Sequence, residues 1–304
     1  MDTLRVRDLS VVFLSYDEPN ADDNFNLLSE QVENPIRVHG VTGFDAAHKA
    51  AAEAARTERF VLVDGDAQVY PEFWNLDFRL PDHYKNGVLS FCARNVVNEL
   101  SYGYGGLKIW TRSFIQNMRT HEAADDHTTA FEFCWLPNYH HFATEWNSTH
   151  INASPKQAFR AGYRETVKLL CPEGVLHPFE KLPYGSQRKL VQWLTLGADA
   201  PNGGLCIAGA QTAYYHLVKL GKSPNVVNDY AAIDSVFDQW TAKPNLEGDD
   251  WRKILQDKDD WMYEVECGDH WPFNARQSRL VKTFIRKQRP KYLNPLHPCA
   301  WDTE

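Results

Sequence analysis

The sequence predicts an α/β fold: a mostly parallel sheet flanked by helices, followed by a mainly helical C-terminal region. Three observations carry this. Short apolar runs at Leu9–Ser15, Pro35–Val41 and Arg59–Val63 read as strands buried on both faces. Helical patterns separate them, the clearest being the alanine-dense stretch from Phe44 to Arg59. From Ser154 onward helical periodicity takes over.

Taken in order, Leu9–Ser15 is the first strand, and Tyr16–Asp23, polar and interrupted by Pro19, is the loop at its end. Asn24–Val32 is a short helix. Pro35–Val41 is the second strand, closed by Gly43. Phe44–Arg59 is the second helix, and Arg59–Val63 the third strand, running into Asp64-Gly65-Asp66. Strand, helix, strand, helix, strand is the opening of a doubly wound sheet. In such sheets ligands bind beyond the carboxyl ends of the strands, so Tyr16–Glu18 and Asp64–Asp66 are expected to face one crevice. Gly87–Cys92 and Leu107–Trp110 read as further strands, with the aromatic, glycine-bearing loop Tyr102–Gly106 between them. Phe114–Met118 starts a short helix, His121–Thr129 is a polar loop, and Phe131–Trp135 is a strand with Glu132 inside it. Ser154-Pro155 pairs an N-cap with proline at the first helical position, opening a helix to about Leu170. Helices are also expected near 186–196, 207–220, 229–240 and 249–256, with a basic helix over 275–288. No internal repeat or low-complexity tract is present. The change of character divides the chain into a core at 1–150 and an extension at 151–304.

Composition bounds the function. At 304 residues, 43% hydrophobic and 24% charged, the chain has the make-up of a globular protein with a sizeable core. The longest N-terminal apolar run, Leu9–Leu14, is too short for a secretory leader, and no stretch approaches the roughly 20 apolar residues of a membrane span. Six scattered cysteines without a Cys-x-x-Cys pair speak against a zinc knuckle or a disulfide scaffold. A cytoplasmic protein with no membrane partner is expected. The net charge of −8 is unevenly shared: residues 1–150 hold 12 Lys+Arg against 22 Asp+Glu, residues 151–304 hold 20 against 18. An acidic half suits cation binding, and the other half carries what basic surface there is.

The strongest chemical signal is Asp64-Gly65-Asp66. Hard divalent ions prefer carboxylate oxygens, and such an ion neutralises a departing diphosphate well. Two aspartates flanking a glycine at a strand end are suited to hold one. An alternative stays open: an Asp-Gly turn joining Val61–Val63 and Ala67–Tyr70 as a hairpin. An acceptor hydroxyl would need a base, and Glu132, set among aromatics, is one candidate if burial raises its affinity for protons. Period two equally allows it to face solvent. Asp125 and Asp126, in the preceding loop, are the other carboxylates within reach of such a role.

The stretch from Val11 to Trp74, with its glycine, alanine-rich helix and Phe-Val-Leu-Val-Asp-Gly-Asp sequence, resembles the nucleotide-binding half of GT-A glycosyltransferases, in particular family-2-like enzymes. The resemblance covers roughly residues 9–150, and the Asp-x-Asp is its specific part. It implies a GT-A type, Rossmann-like core, a nucleotide-sugar donor such as a UDP-sugar, and Mn2+ or Mg2+ held by Asp64 and Asp66. It also implies a further metal ligand near the end of the core, for which His150 is best placed, with His140 and His141 as rivals. It puts the base and ribose of the donor against Ser15, Tyr16 and Asp17, and the Tyr102–Gly106 loop, with Gly106, along the pocket.

The C-terminal half is similar in flavour to phage glycosyltransferases that decorate hydroxymethylated DNA bases. Arg276 to Lys291 carries seven cations and no acid, a pattern that suits phosphates. Lys156, Arg160 and Arg164, four apart on one predicted helix face, would add to it. A solvated helix, or one packed on acidic residues, has the same composition. The expected function is transfer of a sugar to 5-hydroxymethylcytosine or 5-hydroxymethyluracil in double-stranded DNA, in a host cytoplasm if the gene is a phage's. A glycan or other acceptor, or a non-catalytic sugar-nucleotide-binding protein, are the other readings.

Overall fold

The computed structural model describes residues 3–103, 106–118, 120, 122, 138–241 and 272–299. The strand predicted at Phe131–Trp135, most of the loop before it and the helix predicted at 249–256 lie outside the described residues. The chain divides into two compact units. The first comprises residues 1–95, 101–150 and 290–304, the second residues 96–100 and 151–289.

The first unit is an α/β layer structure. Its elements are β1 (Thr3–Arg5), β2 (Ser10–Ser15), α1 (Ala21–Gln31), β3 (Ile36–His39), α2 (Phe44–Ala54), β4 (Arg59–Asp64), β5 (Ala67–Val69), β6 (Asp77–Arg79), β7 (Val88–Asn95), β8 (Ser101–Tyr102), β9 (Leu107–Thr111), α3 (Arg112–Asn117) and β10 (Tyr139–Thr149). β1 and β6 form a small antiparallel ribbon. The other strands form one sheet in the order β3-β2-β4-β9-β7-β10-β5, with β8 paired to β7.

The opening is doubly wound. β2 lies between β3 and β4 and runs parallel to both. Leu28 of α1 packs into the core on one face, with Phe13, Val61 and Val63. Ala51 and Ala52 of α2 pack on the other face, with Val12, Phe60 and Leu62. The strands are apolar on both sides because both sides are covered. α2 starts after Gly43, whose φ of 95° only glycine adopts cheaply. Gly43 has no side chain to cap the helix, and the Glu122 carboxylate does it, accepting from Phe44 N at 2.6 Å and Asp45 N at 3.0 Å.

Beyond β4 the sheet is mixed, which corrects the expectation of a mostly parallel one. β9 is antiparallel to both β4 and β7, β7 is parallel to β10, and β5 is antiparallel to β10. The reason is connectivity: helical crossovers return strands in parallel, and the short link from β7 to β9 contains none. β10 spans 11 residues, is broken by two register shifts, and was not foreseen at all. β4 and β5 are not sheet neighbours, so the hairpin reading of Asp64-Gly65-Asp66 falls. The tail from Pro290 also belongs to this unit. Thr144 Oγ1 donates to Pro295 O at 2.7 Å, Ala143 N donates to His297 O at 2.8 Å, and Leu296 is buried in the core.

The second unit is helical: α4 (Pro155–Leu170), α5 (Tyr184–Thr195), α6 (Gly203–Tyr214), α7 (Tyr230–Thr241) and α8 (Ala275–Gln288). Ser154 caps α4 by accepting from Gln157 N. α4 and α6 approach backbone to backbone through glycine. A Cβ built on Gly162 would sit 1.9 Å from Cys206 O, and one on Gly209 would sit 2.0 Å from Phe159 O. α6 is apolar nearly all round and is buried accordingly. No helix among the described residues is long and apolar enough to cross a membrane.

Candidate functional site

The helices that follow β2 and β3 cover opposite faces, so the sheet has its topological switch point at β2 and β4. A crevice opens at the carboxyl ends of strands there. Ser15–Glu18 leaves β2 and Asp64–Asp66 leaves β4 at that point, and the two segments touch. A Cβ on Gly65 would lie 2.6 Å from Glu18 Oε2 and 3.0 Å from Ser15 Cβ. Only glycine lets the Glu18 carboxylate come this close. Glu18 Oε2 also accepts from Tyr16 N at 2.8 Å, which locks the loop.

The turn is held from both sides. Asp64 N donates to Gly106 O at 3.0 Å, and Asn24 Nδ2 donates to Gly65 O at 2.8 Å. His150 N donates to Asp66 O at 2.7 Å, and Asn20 Nδ2 donates to His150 O at 2.9 Å. His150 is thus tied to Asp66 through the backbone, while its Nε2 lies 2.9 Å from Ser148 Oγ. His140 and His141 sit at the start of β10, beside Leu89 and Ser90 of β7. That is the far end of the strand, roughly 30 Å from His150 at 3.3 Å per residue.

Three carboxylates, Asp64, Asp66 and Glu18, gather here, with Lys108 as an opposing charge. Burial raises the Asp64 carboxyl above the usual range, with the Lys108 charge opposing and Glu18 adding to the rise. Asp66 is pushed up to about 7, first by burial and then by Asp64 and Glu18, against a hydrogen bond from Thr149. His150 is shifted the other way, by burial and then by the Arg94 charge. Its imidazole is therefore held neutral near pH 7, the form that ligates metals. Among the described residues no three His, Cys, Asp or Glu side chains are placed together so as to hold a metal ion. Carboxylate oxygens are the donor type that hard divalent ions prefer.

The remaining predicted residues fall as follows. Ser15 is buried, and its Oγ lies 2.9 Å from His39 Nδ1 while accepting from Arg37 Nε at 3.3 Å. Its hydroxyl is thus engaged within the protein. Tyr16 is 49% exposed at the crevice edge, and Asp17 is exposed beside it. Gly106 stands against the turn: a Cβ there would lie 3.1 Å from Ala67 Cβ and 3.6 Å from Asn147 Nδ2. Glu132 and Asp126 lie outside the described residues. Glu18 lies in the segment expected to face the crevice, whereas Lys108 and Thr149 carry no such expectation from the sequence. The signal for Lys108 was a lone cation in the apolar run Leu107–Trp110; it is only 3% exposed, with its ammonium 5.7 Å from the Trp110 ring centre.

The basic residues of the second unit divide into two sets. Lys156 pairs with Asp238 at 3.1 Å, Arg160 forks onto both oxygens of Asp234, and Arg164 donates to Val227 O at 2.9 Å. All three are engaged within the helical unit. On α8, Lys282 is buried against Asp199, and Arg286, with Arg289 just beyond the helix, flanks the buried Glu99. Arg276, Arg279 and Lys287 remain exposed.

No protein-family model matches the sequence, and no curated protein does. Among solved structures, a glycosyltransferase described as involved in the glycosylation of the major capsid of PBCV-1 is similar over 35% of this chain and 62% of that one, at 20% identity and a TM-score of 0.24. The chain thus spans less than two thirds of that protein, and a likeness of this extent carries no weight for function.

Proposed function

We propose that the chain is a metal-dependent glycosyltransferase that moves a sugar from a nucleotide-sugar to an acceptor hydroxyl. The observation that carries this is the meeting of Asp64, Asp66 and Glu18 at the switch point, where burial first and the two neighbouring carboxylates second lift Asp66 to about 7. A divalent cation, Mn2+ or Mg2+, is the charge such a cluster lacks. Asp64, Asp66 and His150 are the residues that would hold it, and when bound it supplies the positive charge needed where a diphosphate leaves. The exposed ring of Tyr16 is available to stack on the nucleotide base, and Asp17 to accept from ribose hydroxyls. In the reaction the acceptor oxygen bonds to the anomeric carbon as that carbon's bond to the diphosphate oxygen breaks. The hydroxyl proton passes to a carboxylate, for which Glu132 and Asp126 are the proposed groups.

For the acceptor we favour 5-hydroxymethylcytosine or 5-hydroxymethyluracil in double-stranded DNA. The exposed Arg276, Arg279 and Lys287, with no acid on α8, support contact with phosphates. The modified base would have to leave the stack to meet the donor.

The donor half is tested by a thermal-shift screen of nucleotide-sugars with and without Mn2+, repeated on Asp64→Asn and Asp66→Asn. Stabilisation by one donor class that needs both the metal and the aspartates is expected. A protein indifferent to every donor, or stabilised equally without the aspartates, would remove the proposal. The acceptor half is tested by incubating hydroxymethylated and plain DNA with the identified donor. A hexose or pentose mass gain on the hydroxymethylated DNA alone is expected, and transfer to glycans instead would redirect the acceptor assignment. Donor binding without transfer or hydrolysis would make this a sugar-nucleotide-binding protein.

A further inference from the structure

Beside the aspartate turn, wholly within the first unit, lies a cavity of about 260 Å3. Its polar lining includes Asn24, Gln31, Gln68, Arg94, Ser148 and His150. Strand register fixes three of these: Gln68 of β5 faces Ser148 of β10, and Ser148 faces Arg94 of β7. Leu27 of α1 also lines the cavity and is 41% exposed, so the cavity reaches the surface.

Arg94 is the unusual member. Its Nε is buried and has no hydrogen-bond partner. No carboxylate among the described residues forms an ion pair with it. Of the other part-buried arginines of this unit, Arg37 pairs with Asp22 at 2.7 Å and Arg59 donates to the carbonyls of Tyr84, Lys85 and Gly87, while Arg112, whose Nε also lacks a partner, does not line the cavity. A guanidinium offers a planar fork of donors that matches an oxyanion. The cavity supplies no acceptor of that kind. The rest of the polar lining is uncharged and rich in groups that bond hydroxyls. Gln68 Nε2 donates to Asn24 Oδ1 at 2.9 Å, which orients both amides and leaves them further capacity.

We propose that this cavity is a second binding site, which takes a small polyhydroxylated oxyanion, a sugar phosphate or a sugar carboxylate, with Arg94 gripping the oxyanion. The assignment does not depend on glycosyl transfer or on the aspartates holding a metal.

The test is calorimetric titration of the whole protein, in chelator, with glucose 1-phosphate, glucuronate and neutral glucose. Saturable binding of one or both anions is expected, with none by glucose. Glucose 1-phosphate alone would name the phosphate as the ligand group, glucuronate alone the carboxylate. Arg94→Gln should weaken binding by roughly tenfold or more, the loss of charge-assisted hydrogen bonds. Leu27→Trp, which adds bulk at the exposed mouth, should weaken it too and covers the case in which the Arg94 variant does not fold. Asp66→Asn should leave binding in place. Absence of binding by either anion, equal binding by glucose, unchanged affinity in Arg94→Gln or in Leu27→Trp, or loss of binding in Asp66→Asn would each overturn the assignment.

Discussion

Replacing Asp66 by asparagine is expected to make the metal-free protein more stable at pH 8. The Asp66 carboxyl is moved from 3.8 up to about 7, first by burial, then by Asp64 and Glu18, with Thr149 opposing. Because its folded value lies above its unfolded one, the folded state keeps the proton longer. Stability therefore falls as pH rises from about 4 to about 7, and the loss is complete above that window. At about 1.36 kcal/mol per pH unit, the separation corresponds to roughly 4 kcal/mol. The carboxyl is part-exposed, and solvent screens some of this, so about 2 kcal/mol is the expected gain for Asp66→Asn. That corresponds to a melting shift of a few degrees. Thermal denaturation in chelator at pH 5 and pH 8 checks it. The gap between variant and parent should be small at pH 5 and wider at pH 8. Added Mn2+ should then raise the parent's melting temperature and leave the variant's in place. A variant no more stable than the parent at pH 8, or a gap that ignores pH, would refute the charge-crowding account of the site.

Three further outcomes are expected. Gly162→Ala places a methyl 1.9 Å from Cys206 O, a backbone atom that cannot swing aside, so α4 and α6 must separate; a cost of about 3 kcal/mol or more is expected in denaturant titration. Arg289→Ala leaves the buried Glu99 with only Arg286, whose side chain is 52% exposed; a loss of about 2 kcal/mol is expected, whereas Arg276→Ala, on an exposed and unpaired cation, should change stability by under about 0.5 kcal/mol. Gly65→Ala must displace the Glu18 carboxylate, the mobile end of a side chain, so stability should change by less than about 1 kcal/mol while stabilisation by Mn2+ changes measurably in a thermal-shift titration.

Much of the first unit could be read from the chain. The apolar runs that became β2 and β4 and the alanine-rich stretch that became α2 carry their periodicity locally, and Ser154-Pro155 announces α4 by its own capping chemistry. The Asp-Gly-Asp segment was legible as the end of a buried strand, because the strand's hydrophobicity is unbroken up to Asp64. What lay outside local pattern went unread. β10 carries histidines, a glutamate and asparagine among its apolar residues, and only its neighbours β7 and β5 make it a strand. The mixed direction of the sheet depends on which strands find each other, which no single segment encodes.

The same division runs through the site. The sequence by itself determined that two carboxylates stand at a strand end, that a run of cations follows residue 275, and that the core is α/β, since composition and periodicity are properties of the chain. Tertiary structure alone decided how closely the Glu18 carboxylate packs on Gly65, that the His150 backbone bonds to that of Asp66, and that, among the described residues, no carboxylate pairs with Arg94 beside the cavity. It also decided that Lys282, Arg286 and Arg289 pair with Asp199 and Glu99. A charge's role depends on which opposite charge lies within a few ångströms, and folding sets those distances between residues far apart in the chain.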